Sequence, residues 1–314
     1  MAIRSGEWLG LIERDYLASY IPAGGSAVRF VVAEDAMLSA VQRDLTAAAT
    51  AAGLHVVAVD TADAKLNMLH AVFFAIASSL DWEKLTQTRL ERLVAEAGYT
   101  WPVPGQRMSL TALASANGVA PPLLRRTLQG QVTSAVWRDH ALAQDFRKAM
   151  MALLDVALAD DKDDLRNGVL GWLRGDLTSL KWVKEAQIGA RIGIQNARAM
   201  LISLCHWLSS CGAPGLVVLL DIRRLLRDRR EIAEGVAYTP AAVMACYEVV
   251  RQVIDDTEHF EGFFLAVLAD GRLIDDSVPK RGLGAYDALR LRLSNDVRPR
   301  DRDNPLAPLV VLAA

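Results

Sequence analysis

The chain has 314 residues, of which 52% are hydrophobic, and a formal net charge of −2. This length can bury one large core or two modest ones. The charge excludes a globally basic nucleic-acid binder, so any contact with DNA has to be local. No apolar run approaches the ~20 residues that span a bilayer, and the first ten residues lack an apolar signal core. We therefore expect a cytoplasmic protein with no membrane partner.

The three cysteines, Cys205, Cys211 and Cys246, are an odd number and show no CxxC spacing. Such cysteines are typical of free, buried thiols rather than of a disulfide framework or a zinc site. The five histidines also lack ligand spacing. We expect no bound metal at these residues.

Five short apolar runs predict β-strands. They are AVRFVV at 27–32, HVVAVD at 55–60, GLVVLLD at 215–221, FFLAVLAD at 263–270 and PLVVLAA at 308–314. Each run is nearly continuous in its apolar residues, which is typical of strands covered on both faces of a parallel sheet. Helical periodicity fills the intervals between them. The sequence predicts an α/β fold with a five-stranded, mainly parallel sheet.

The first strand leads into a segment with the layout of a phosphate-binding loop, strand then polar residues then helix, but without its chemistry. The corresponding residues are Ala33, Glu34, Asp35, Ala36, Met37, Leu38, Ser39 and Ala40. This stretch has no glycine to let the backbone approach a phosphate and no lysine to neutralise it. Glu34 and Asp35 would place two negative charges beside a triphosphate. We expect no tight phosphate binding here.

About 150 residues separate the second and third predicted strands, and they are almost wholly helical in pattern. We place a helical insertion at 82–190 and the α/β core at 1–81 and 191–314. Within the insertion, 110–132 shows the rhythm of helix, glycine turn and helix, which would carry Arg125 and Arg126 toward DNA. The alternative, which the pattern favours, is a helical hairpin that packs on the main domain.

The third predicted strand ends in Asp221, a pattern that places a carboxylate beside the magnesium of a nucleotide site. In proteins that hydrolyse a nucleotide at such a site, a Glu usually follows this Asp, but here Ile222 follows. The next residues include Arg223, Arg224 and Arg227, which could contact a phosphate backbone or a partner's acidic face. The alternatives are a strand-end carboxylate that only caps a loop, and a solvated helix with internal ion pairs.

Several longer segments resemble one family across nearly the whole chain. They are GEWLGLIERDYLASYI near the start, FFAIASSLDW at 73–82, GWLRGDL at 171–177, IGIQNARAMLISLCHWLSSCGAPGLVVLLDI at 192–222 and RGLGAYDALRLRL at 281–293. The family is that of the P-loop ATPases of BREX-type phage-defence clusters, often called BrxD. It is similar in fold to AAA-type and origin-recognition-type ATPases, so the resemblance implies a P-loop NTPase-like fold.

The resemblance also implies a glycine-rich loop with a Lys-Thr pair after strand one, from which this sequence departs. The strand that carries the magnesium-site Asp is kept through Asp221, and Arg281 lies where the family could present an arginine to a neighbouring subunit's nucleotide. We therefore expect a pseudo-ATPase scaffold or regulatory subunit with no nucleotide or metal cofactor. Its partners would be proteins of a defence complex, with DNA and further copies of the chain as additional candidates.

Two alternatives remain open. One is an active ATPase of the same family that binds ATP and Mg²⁺ through a divergent loop, with Asp221 on the metal. The other is a DNA-binding regulator that uses residues 110–132.

Overall fold

The computed structural model describes residues 3–63, 66–159, 162–275, 277, 280–294 and 304–313. The chain forms two compact units, and the division falls within one helix and just before one strand. The α/β unit comprises residues 1–72 and 213–314, and the helical unit comprises 73–212. The helical segment predicted for 82–190 lies inside the second unit.

The α/β unit contains a sheet whose six described strands all run parallel. They are β1 (Ile3–Arg4), β2 (Ser26–Val32), β3 (His55–Asp60), β4 (Leu216–Asp221), β5 (Phe263–Ala269) and β6 (Leu309–Ala313). All five predicted strands are present, although Ala314, the last residue of the fifth run, lies outside the described residues. The prediction of five strands was wrong by one, because β1 is a two-residue strand too short to give a sequence pattern. The α/β class is confirmed, and the arrangement is consistent with a P-loop-like fold.

The strand order is β1-β6-β2-β5-β4-β3. The spacing of the strands along the chain and the family-like GLVVLLD predict that the strand ending at Asp221 lies beside the strand ending near Val32. That expectation was wrong, because β5 lies between β2 and β4 and pairs with both. Parallel strands are joined by crossovers that can skip a neighbour, so the spacing of strands along the chain does not fix their order.

Helices cover the two central strands of the sheet, β4 and β5, which are apolar apart from Asp221 at the end of β4. Every residue of β4 and of β5 is buried, as expected where both faces are covered. On one face, α1 (Ser5–Leu11), the π-helical turn that continues it (Ile12–Tyr20) and α2 (Asp35–Ala51) pack against the sheet. The buried side chains of this layer include Trp8, Leu38, Val41 and Phe264.

The remaining described α-helices of the α/β unit follow β4 and β5. They are α10 (Arg223–Leu226), α11 (Pro240–Asp255), which contacts β2, and α12 (Asp287–Ser294). Another helix, α3 (Leu69–Ser79), contains the division between the units. No helix in the described part of the chain has the length and apolar composition needed to span a bilayer.

The helical unit contains no strand among its described residues. Its helices are α4 (Trp82–Glu96), α5 (Leu110–Ala116), α6 (Pro121–Val132) with a π-helical extension (Thr133–Trp137), α7 (Gln144–Ala157), α8 (Asp163–Arg174) and α9 (Ala197–Ser210). The pattern over 168–190 predicts one helix, which was wrong in its second half. There α8 ends at a left-handed Gly175, and only a short 3-10 turn (Leu180–Val183) follows.

The strands β4 and β5 start very close together, and this tight approach requires glycine. A Cβ placed on Gly215 would lie 2.5 Å from the carbonyl oxygen of Gly262. That oxygen cannot move freely, because it accepts the Leu216 N–H at 2.7 Å. We expect Gly215→Ala to lower the free energy of unfolding by about 1–3 kcal/mol, as measured by urea denaturation.

Gly10→Ala is the matched control, because Gly10 is exposed in α1 and an added Cβ meets nothing within 4 Å. Its expected effect is a gain of about 0.5–1 kcal/mol from helix propensity. Equal stability of the Gly215→Ala variant and the unmodified chain would show that the start of β4 can move apart from β5.

Candidate functional site

The carboxyl ends of β2, β3, β4 and β5 lie at one edge of the sheet, where loops in α/β proteins usually bind ligands. The strand register brings Asp60, at the end of β3, opposite Asp221, at the end of β4. The register also places Asp221 opposite Leu268 of β5, and Val32 of β2 opposite Ala269. We take this edge as the candidate functional site of the α/β unit.

Asp221 is 5% exposed, and its carboxylate is held by the guanidinium of Arg223. Arg223 Nη2 lies 2.5 Å from Asp221 Oδ2, and Nε donates to the same oxygen at 2.9 Å. The Arg223 backbone N–H donates to Oδ1 at 3.0 Å. Both carboxylate oxygens are therefore occupied by donors from one residue, and the pKa of Arg223 is raised by these bonds.

The same guanidinium reaches the residue that opens α2. Arg223 Nη1 donates to Asp35 Oδ1 at 3.0 Å, and Arg227 Nη2 lies 3.5 Å from Asp35 Oδ2. Asp35 occupies the first turn of α2, where the helix dipole also favours a negative charge. One arginine thus joins the end of β4 to the start of the helix after β2.

The segment predicted as a degenerate phosphate loop forms no loop of that kind. Only Ala33 and Glu34 separate β2 from α2, and the residues from Asp35 to Ala40 are helical. The N–H of Leu38 already donates to the carbonyl of Glu34 at 2.9 Å. A phosphate loop needs several free N–H groups that face one point, and here those beyond the first helical turn are engaged.

The end of β3 contributes residues that the sequence reasoning did not single out. Thr61 Oγ1 donates to the carbonyl of Asp221 at 2.9 Å, and the Thr61 carbonyl accepts the hydroxyl of Tyr238 at 3.0 Å. Burial raises the pKa of Asp60, the charge of Asp221 raises it further, and a bond from the Ala62 N–H opposes both. The run HVVAVD ends in an Asp, as GLVVLLD does, and this similarity could have identified Asp60 as a candidate site residue.

Two other features bear on the sequence-derived expectations. Ile222, which stands where hydrolytic relatives have Glu, is buried, and its apolar side chain cannot polarise water. Arg224 donates from Nε to the carbonyl of Val236 at 2.8 Å and from Nη2 to that of Glu234. The guanidinium groups of Arg223, Arg224 and Arg227 therefore all have partners within the α/β unit, and their contact with nucleic acid stays a prediction.

Arg281, the proposed arginine finger, is 7% exposed. Its guanidinium donates to the carbonyls of Leu225 and Tyr238, each at 3.0 Å, and its own carbonyl accepts the Tyr247 hydroxyl at 2.5 Å. These bonds tie the segment after β4 to α11. To reach a neighbouring subunit, the guanidinium would have to leave the carbonyls of Leu225 and Tyr238.

The remaining candidates lie in the helical unit. Arg125 and Arg126 are exposed on α6, the second helix of the α5–α6 pair, as expected for the helix–turn–helix pattern. Gly118 makes the turn with a positive φ of 63°. In neither unit do the described residues form a group of three or more His, Cys, Asp or Glu side chains suited to a metal ion.

The Asp221–Arg223 pair gives a testable prediction about stability. Arg223→Leu would leave a buried carboxylate without its cation, and we expect it to lower the free energy of unfolding by about 3 kcal/mol or more. Asp221→Asn combined with Arg223→Leu should recover part of that loss, because a neutral amide tolerates burial better than a carboxylate. Urea denaturation of the two single variants and the double variant measures the coupling.

The exposed pair Arg14–Asp15 is the matched control. A double-mutant cycle on this pair should give a much smaller coupling energy. If both cycles gave the same coupling, the burial of Asp221 would not determine its dependence on Arg223.

A second prediction concerns pH. Because the folded-state pKa of Asp60 is raised, its ionisation opposes folding, and this penalty develops as pH rises through that pKa. Asp60→Asn removes the penalty and keeps an oxygen for the Ala62 N–H. We expect a small increase in stability at pH 7 and none below about pH 3.5, measured by urea denaturation across pH. A gain that persisted at low pH would not arise from ionisation.

The chain was compared with known families, curated proteins and solved structures. No curated protein and no solved structure matches it. The family described as the BREX system ATP-binding proteins BrxC/D matches residues 124–314, well over half of the chain. The match includes β4 with Asp221, β5 and β6, and it begins after β2, α2 and β3. The resemblance drawn from the sequence is confirmed over these residues, and the chain belongs to the family of BREX system ATP-binding proteins BrxC/D.

Proposed function

We propose that this protein is a pseudo-ATPase, a scaffold or regulatory subunit of a BREX-type defence system that acts through protein partners. Membership in a family named for ATP binding and for the BREX system supports a role in such a defence system. The loss of nucleotide chemistry is supported by one observation above others. Arg223 occupies both oxygens of Asp221, the carboxylate that would otherwise face magnesium.

The charges around Asp221 support this proposal. Mg²⁺ in such sites is held by carboxylates and by phosphate oxygens, and Asp221 would have to exchange its guanidinium partner for a metal-bound water. Breaking a buried pair of this kind costs about 3 kcal/mol or more, which corresponds to an affinity loss of about a hundredfold. The short β2–α2 connection provides no loop of free backbone N–H groups that could bind the phosphates and offset this cost.

In the main alternative, the chain is an ATPase that uses Mg·ATP with Asp221 on the metal. That reaction requires Arg223 to swing away from Asp221 and Asp35 when nucleotide arrives, and requires a residue other than Ile222 to position water. Under the proposal, the same arginine stays in place and the edge of the sheet remains rigid.

Isothermal titration with Mg·ATP distinguishes the two. We expect a dissociation constant weaker than about 1 mM and no release of phosphate from the purified chain, because two or more charge-assisted hydrogen bonds of a working loop are missing. Asp221→Asn should leave the titration unchanged, and its thermal melt checks that the variant is folded.

The opposite result would be micromolar binding that Asp221→Asn abolishes in a folded variant. It would show that the site still takes nucleotide and that Arg223 is a movable gate, which would overturn the pseudo-ATPase proposal.

A second candidate function, DNA binding, is favoured by a separate observation in the helical unit. Arg125 and Arg126 are exposed on α6, and within the part of the chain that the structure describes no carboxylate is paired with either. A helix with unpaired guanidinium groups can bind phosphates without any nucleotide site. This candidate does not depend on the state of Asp221.

A further inference from the structure

Residues 97–138 form a basic segment of an otherwise slightly acidic chain. The segment contains four arginines, Arg107, Arg125, Arg126 and Arg138, and neither Asp nor Glu. It includes α5, α6 and the π-helical extension of α6. The surface of this helix pair therefore carries positive charge that no carboxylate within the segment offsets.

Four side chains of this segment lie in a row along one face. Arg125, Gln129, Thr133 and Trp137 follow one another at intervals of four residues, and all four line the same groove. The row extends over about 18 Å at ~1.5 Å per residue. Guanidinium, amide and hydroxyl groups are the side-chain donors that most often contact nucleic-acid phosphates.

The groove has a volume of about 720 Å³ and a mainly apolar floor that includes Leu128, Val132 and Met151. Lys148 of α7 lines the opposite wall, together with Lys162. Two carboxylates, Asp155 and Glu185, also line that wall, and each pairs with Lys162 at 3.0 Å. A single ammonium group faces these two carboxylates, so this wall keeps acidic charge, and Lys148 pairs with Asp145 at 3.0 Å. Among the described residues Arg125 has no carboxylate partner, so the unpaired positive charge lies on the α6 side of the groove.

Trp137 lies at one end of the row and is 40% exposed, which is unusual for so large an apolar side chain. The Arg147 guanidinium lies over its ring, 5.3 Å from the centroid, and donates to the Trp137 carbonyl at 2.8 Å. These contacts fix the position of an indole at the protein surface. A fixed aromatic ring beside exposed arginines is the arrangement on which single-stranded nucleic acids stack their bases.

We propose that this α6 groove, formed by Arg125, Gln129, Thr133, Trp137 and Lys148, binds single-stranded nucleic acid. Arg125 and the adjacent Arg126 contact phosphates, and unpaired bases enter the apolar groove and stack on Trp137. A duplex keeps its bases inside and would use only the arginines. The inference rests on the second candidate function, DNA binding, and narrows it to the single strand.

Fluorescence anisotropy with a fluorescein-labelled oligothymidine, measured at several salt concentrations, tests the proposal with the full chain. We expect Arg125→Gln combined with Arg126→Gln to weaken binding at least tenfold. The slope of log K against log salt should fall by about 1.4, because each lost phosphate contact on a single strand removes about 0.7. Trp137→Ala should weaken binding by about 5- to 150-fold and leave the slope unchanged.

Arg14→Gln combined with Arg43→Gln is the matched control, since it removes two exposed arginines from the α/β unit. This control should bind like the unmodified chain. Circular dichroism verifies that every variant is folded, and Trp137→Phe should retain part of the affinity because it keeps an aromatic face.

Three results would overturn the proposal. One is the absence of binding at low salt, and another is an equal loss in the Arg14 and Arg43 control. The third is tighter binding of a duplex that Arg125→Gln and Arg126→Gln weaken but Trp137→Ala does not. That last result would retain DNA binding as a function and reject the single-strand groove, so the two failures can be told apart.

Discussion

The ion pair between Arg223 and Asp221 is the interaction on which the carboxyl edge of the sheet depends. Asp221 lies at the end of the fully buried strand β4, directly beside Asp60 in the register. Without a cation, two carboxylates would face each other across adjacent strands in a poorly solvated position. Arg223 supplies that cation and also donates to Asp35 of α2, so that one guanidinium links the end of β4 to the start of α2.

The sequence predicts the strands well, because buried parallel strands are apolar on both faces and stand out from the helices around them. The bounds of β3 match the predicted run HVVAVD. The order of the strands could not be predicted in the same way. The position of β5 between β2 and β4 depends on long crossovers and on contacts between residues far apart in sequence, which periodicity does not encode.

The candidate site shows a similar limit. The absence of glycine and lysine after β2 can be read directly, and it agrees with a connection of only two residues before α2. The residues that Arg223 contacts could not be predicted from the sequence, because an arginine after a strand can face solvent, another protein or the preceding carboxylate. Its orientation is set by the burial of Asp221 and by the closeness of Asp35, which is 188 positions away. Asp60 was overlooked because its importance depends on the β3–β4 register.

The chain passes through the whole helical unit between β3 and β4, two strands that pair along their full length. Closing a flexible loop of about 155 residues costs about 4.5 kcal/mol of chain entropy, and that cost opposes every early attempt of these strands to meet. A helical unit rich in local contacts folds much faster than a parallel sheet. Once this unit is compact, less flexible chain has to be closed between β3 and β4, so we expect the helices to fold first and the β3–β4 ladder to form afterwards. Until that ladder forms, the apolar edge of β4 stays unpaired in the nascent protein, and this is the interval in which aggregation competes with folding.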